Sequence, residues 1–181
     1  MNSIDSSVVL AVRRWVDSLV VGLNLCPFAK TELLNERVRF VECPAESEVA
    51  LLDALATELE LLEATATIET TLLIHPQVLR DFADYNQFLN EVDALLQGMQ
   101  LDGVFQVASF HPDYQFSGTA IDDAENYTNR SPYPLLHLLR EASLERVIAT
   151  HPDTAEIPQR NVELMNSIGA AKLRAMLSAL V

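Results

Sequence analysis

The chain has 181 residues and a formal charge of -14 at pH 7, from 26 acidic against 12 basic side chains, and is 49% hydrophobic. That length suits one domain with a full core, so residues 1–181 are read as a single unit. The acidic excess argues against a nucleic-acid partner, because such binding draws on phosphate neutralisation, and no run of about 18 apolar residues marks a membrane span.

The first apolar run follows an acid and precedes Arg13 and Arg14, the reverse of a secretion signal. Two cysteines, Cys26 and Cys43, are too few for a disulfide framework. A cytoplasmic protein with reduced thiols is expected.

Val8, Val12, Trp15, Val16, Leu19 and Leu23 recur at helical spacing and predict a first helix over about 5–24. Val38–Cys43 alternates like a strand, and a second helix is expected over about 46–63. Thr70–His75 is β-branched and apolar, hence a buried strand. Helical periodicity resumes at Val78 and reaches Leu96, with Gly98 as its left-handed cap. Gly103–Phe110 is a third strand. The segment 111–134 reads as a long ordered loop, too rich in aromatics to be a solvated linker. Pro134–Glu141 is read as a helix, resumed from Ser143 to about Ala149. Two more helices, about 158–168 and 170–180, are divided by Gly169. The expected class is α/β, or α+β with one reversed strand. Its small three-stranded sheet is mainly parallel and covered by about five to seven helices.

Both cysteines and His75, His111 and His151 each precede a proline, which drives the preceding residue out of helical geometry. Cys43, His75 and His111 close the three predicted strands. Parallel strands would carry all three to one sheet edge, where α/β proteins bind ligands. The ordinary alternative is a strand-terminal polar group satisfied by a loop carbonyl.

His111 with Asp113 has the composition of an acid–base pair. His137, Arg140 and Glu141 would share one helix face as a further catalytic set or as an ion network. Asn126, Asn129, Arg130, Arg140 and Arg160 are candidates for holding an anionic substrate, Arg130 through its planar donor fork. Asp122, Asp123 and Glu125 suit either a carboxylate cluster or an ordinary turn. His75, His111 and His137 are the candidate ligands for a divalent metal, although no zinc spacing is present. Cys26, at a helix C-terminus, is poorly placed for thiolate chemistry.

The strings WVDSLVVGLNLCPFAK, TTLLIHP, GVFQVASFHPDYQF and DDAENYTNRSPYPLLHLLREAS, with IPQRN later, resemble the bacterial family known as domain of unknown function 1415. The resemblance covers about residues 12–168. It implies a stand-alone bacterial cytoplasmic protein and supplies no reaction.

The leading expectation is a small-molecule enzyme with its pocket between the strand ends and the loop. The rival is a non-catalytic binding or assembly protein whose loop aromatics, Tyr114, Phe116, Tyr127 and Tyr133, form a docking surface. A homodimer through the terminal helices belongs with that rival.

Overall fold

The computed structural model describes residues 6–150 and 152–181. Helix α1, Ser7–Trp15, begins where the Ser6 hydroxyl accepts the Val9 N–H at 3.2 Å, a standard N-cap. The predicted single helix over 5–24 is instead α1 followed by a π-helical turn, Val16–Val21. That wider turn ends at Gly22, where an added Cβ would lie 2.2 Å from the Ser18 carbonyl oxygen. A short helix, α2 (Ala29–Leu34), was not expected from periodicity and has no buried residue.

Strand β1, Val38–Glu42, precedes α3, Glu48–Ala64, whose N-cap Ser47 accepts from Ala50 N–H. Strand β2, Thr70–Ile74, is buried throughout. Helix α4, Phe82–Gly98, starts on Asp81, whose carboxylate accepts from the N–H groups of Ala83 and Asp84. Gly98 is its last residue rather than a left-handed cap; the positive φ, 60°, falls on Gln100. Strand β3 is Phe105–Phe110. Beyond the loop come β4 (Leu135–Arg140), α5 (Glu141–Thr150), α6 (Ile157–Ile168) and α7 (Ala170–Ser178).

Among the described residues the sheet has four strands in the order β1-β2-β4-β3. Strands β1 and β2 pair in parallel, while β4 runs antiparallel to both β2 and β3. The three predicted strands therefore do point the same way, but the sheet is mixed because a fourth is inserted between two of them. That strand is the Leu-rich run expected to be a helix. A run apolar in every direction suits a strand buried on both faces as well as a buried helix, and the pattern alone does not separate them. Leu136 and Leu138 enter the core with α3 and α4, whereas Leu135 enters the one with α1. Both faces of β4 are thus consumed by packing, which favours the strand.

Two apolar layers sandwich the sheet. Leu51, Leu55, Leu59 and Leu62 of α3 and Phe88, Val92 and Leu96 of α4 cover one face. Val9, Val12, Trp15, Val16 and Leu19 cover the other. A third cluster, Leu25, Ala124, Tyr127, Met165 and Leu173, joins the loop to α6 and α7.

Candidate functional site at the strand ends

Because β4 is antiparallel and pairs with β3, the 111–134 loop must return to the edge from which it left. Leu135 pairs with Phe110 and with Ile74, so the loop lies over the carboxyl ends of β2 and β3. The expected convergence is real for His75 and His111, both fully buried there. Strand alternation turns both toward the α3–α4 face.

Their hydrogen bonds fix their tautomers. His75 Nδ1–H donates to the Val78 carbonyl at 3.0 Å. His111 Nε2–H donates to the next carbonyl, Leu79, at 3.2 Å, and its Nδ1 accepts from the Asp113 N–H at 3.0 Å. Leu79 holds a left-handed φ of 56°, costly for a bulky side chain, and its carbonyl is the one His111 grips. Two imidazoles thus clamp successive carbonyls of the turn between β2 and α4. Burial pushes the His75 pKa down to about 4 and lowers that of His111.

Helix α4 fills the space that a ligand would need. Tyr85 donates its hydroxyl to the Leu135 carbonyl at 2.8 Å and accepts the Phe110 N–H at 3.1 Å, joining β3 to β4. Its ring lies 5.8 Å from that of His75 and 5.1 Å from that of His111. Phe82 packs on His111 at 5.4 Å and on Tyr114 at 5.1 Å, and Tyr114 meets Phe116 at 4.9 Å. The loop aromatics therefore divide: Tyr114 and Phe116 plug the crevice with Phe82, Tyr127 joins the cluster with α6 and α7, and Tyr133 packs on the α1 side. Tyr85 and Phe82 were missed from sequence because they sit on an ordinary helical stripe.

The other nominated residues divide among separate tasks. Asp113 is exposed, and its backbone amide, not its carboxylate, meets His111. Asn126 is fully buried and organises the loop: its Oδ1 accepts from Phe116 N–H and the Thr119 hydroxyl, and its Nδ2 donates to Ala120. Asn129 Nδ2 donates to the Ser109 carbonyl at 3.1 Å, and its carbonyl accepts the His111 N–H. Arg130, also buried, donates to the carbonyls of Tyr114 and Ile121 and lies 4.6 Å from the Tyr127 ring centre. These are loop braces. Asp123 closes a turn by accepting the Ala120 N–H, while Asp122 pairs with Arg174 on the surface.

His137 lies elsewhere. It is mid-strand on β4, opposite Leu72 and Ala108, and alternation turns it to the α1 face. The Thr70 hydroxyl donates to the Leu138 carbonyl at 2.6 Å, which leaves its oxygen to accept His137 Nε2–H at 2.7 Å. Desolvation lowers the His137 pKa to about 4. The expected helix face of His137, Arg140 and Glu141 does not exist, because β4 ends at Arg140 and α5 starts at Glu141. Arg140 instead caps the C-terminus of α3, donating to the carbonyls of Leu62, Thr65 and Ile68. Arg160 is exposed and donates to the Asn24 carbonyl, far along the chain from the loop.

With His137 across the sheet, the three histidines do not share one ligand position. Among the described residues no group of three His, Cys, Asp or Glu side chains is placed to hold a metal ion. Cys43 is buried, which raises its thiol pKa, and Cys26 is half-buried. His151 lies outside the described residues. Among the described residues no helix is long and apolar enough to cross a membrane.

The architecture is thus a mixed α/β sandwich whose strand-end crevice is closed by its own loop and helix. The chain belongs to the family described as protein of unknown function, domain of unknown function 1415, whose model matches residues 7–175. No curated protein and no solved structure matches it.

Proposed function

We propose that this protein acts by binding a protein partner, with α5 as its docking element. One observation carries the reading: α5 has no buried residue, and of its apolar positions Leu144 is half-buried and Ile148, one turn on, is exposed. Ile148 is 61% exposed, and Val104, whose carbonyl accepts the Glu141 N–H at the foot of the helix, is 43% exposed. Large apolar side chains exposed on a helix suit a hydrophobic groove on a partner. Asn126, Asn129, Arg130 and Arg140 all hydrogen-bond the protein's own loops and helix end, which supports the same reading. A photo-crosslinking residue at position 148 in cells should give one discrete adduct that Leu144→Glu removes. No adduct, or one indifferent to Leu144→Glu, ends the proposal.

A catalytic reading keeps one specific support. Among the described residues His75 Nε2 is buried without a hydrogen-bond partner, so one lone pair is left unpaired inside the strand-end packing. A small molecule would reach it only by moving the Phe82–Tyr114 packing aside, and a donor group on that molecule would then stabilise the fold by mass action. In a thermal-shift screen of metabolites, stabilisation lost in His75→Phe would favour this second reading. A screen without any such hit would remove it.

A further inference from the structure

The two imidazoles that clamp the turn between β2 and α4 are placed so that only their neutral forms fit. His111 donates from Nε2 to the Leu79 carbonyl, and its Nδ1 is spent accepting the Asp113 N–H. A second proton on that ring would set one N–H against another. His75 donates from Nδ1 to the Val78 carbonyl, and among the described residues its Nε2 is buried without a partner. A second proton there would be a buried donor facing no acceptor. The segment they hold is strained, since Leu79 keeps a φ of 56°. Two residues on, Asp81 caps α4, and Phe82, the first residue of that helix, is the side chain that meets Tyr114 of the long loop.

We infer that residues 76–82 and the loop around Tyr114 form an acid-released latch: when both imidazoles take up protons, the turn lets go and the strand-end crevice opens while the sheet stays folded. The closed form binds fewer protons than the open one, whose rings are in water, so falling pH favours opening. The groups that face the pair do not reverse this. Asp81 and Asp113 favour the cationic ring of His111, but both are exposed, and burial is the larger effect. Tyr85 of α4 stays neutral, because burial pushes its hydroxyl pKa up. Cys43 of β1, in one core cluster with Val78 and Leu79, is a neutral thiol for the same reason. Arg130 reaches the Tyr114 carbonyl and adds positive charge on the loop side. The two imidazolium groups would also repel each other, since both rings pack on Tyr85. Release stays local because the strand ladders run through neither ring. The latch does not depend on α5 having a partner or on His75 having a ligand.

Hydrogen exchange at pH 7 and pH 5, rescaled for the pH dependence of intrinsic exchange, tests it. Protection over residues 78–84 and 113–116 should fall by at least about 20-fold. That factor follows from one imidazole moving from about 4 in the closed form to the ordinary 6.5 in the open one. Amides in the middle of α3 should stay better protected at pH 5 than these segments, and the circular dichroism spectrum should remain that of pH 7. His75→Asn combined with His111→Gln keeps an amide donor for each carbonyl but removes the titration, so protection in both segments should stay flat. If that double variant misfolds, His75→Asn alone should cancel the 20-fold factor of its own ring. Protection unchanged between the two pH values in the wild-type chain overturns the proposal. So does an equal fall in the non-titrating variants, or exchange that quickens uniformly through α3 and the turn.

Discussion

An imidazole packed away from water with no carboxylate to pair with is a liability in acid. The folded-state pKa of His75, about 4, lies below the ordinary value of 6.5, and so does that of His137. The unfolded chain therefore takes up protons first as pH falls. Stability is complete above about pH 6.5 and declines through the window down to about 4, by up to ~1.4 kcal/mol per pH unit for each such histidine. His75, with no exposure, should dominate. Urea titrations at pH 7 and pH 5 should show the loss, and His75→Asn should flatten it; an unchanged slope in that variant rejects the assignment. Arg130 and His111 belong to the same scale. Each is buried and bound to loop or turn carbonyls, so Arg130→Ala and His111→Ala should each cost about 2–4 kcal/mol of stability, read by denaturant unfolding. Values near zero would return both residues to a ligand-binding role. For His75 and His111 the ordinary alternative read from the sequence, a strand-terminal imidazole satisfied by a loop carbonyl, is the one found. Which carbonyls are gripped was not legible, because those at 78–79, 114 and 121 are brought near only by the fold.

Among the elements, the helices with strong apolar stripes and the three β-branched or alternating strands were legible to within a few residues. The Leu-rich β4 was not. Its composition favours helix locally, and only its insertion between β2 and β3 makes it a strand, a tertiary fact. The consequence for the expected site was large: reading His137, Arg140 and Glu141 as one face placed together residues that the strand sends to opposite sides. Arg140 shows what the strand does instead, reaching from its end to the last carbonyls of α3. Arg140→Ala should fray that helix end and cost about 1–3 kcal/mol. Hydrogen exchange should accelerate over residues 62–68 before the rest of α3; uniform acceleration would mean that the clip has no local effect. Gly22 acts at the same level. Gly22→Ala should be strongly destabilising, since the backbone carbonyl of Ser18 leaves no room for a methyl group.

At the scale of the molecule, strand direction decides which residues meet. Parallel strands were expected to carry Cys43, His75 and His111 to one edge, and β1, β2 and β3 do run the same way within a mixed sheet. What fills that edge was invisible, because Phe82 and Tyr85 read as a helical stripe and not as a stopper. Tyr85→Phe should expose this dependence. Losing one hydroxyl leaves the Phe110 N–H and the Leu135 carbonyl short of a partner and should lower stability by about 1–3 kcal/mol. A melting temperature equal to wild type would show that water substitutes for the hydroxyl.

The central strand is also the last of the four to leave the ribosome. Until Arg140 has emerged, the growing polypeptide holds β2 and β3 with a vacant slot between them, each offering bare amides to any neighbouring nascent chain. A product released just before Leu135 would keep both packed layers and lack the strand that zips the sheet, and it should collect in inclusion bodies.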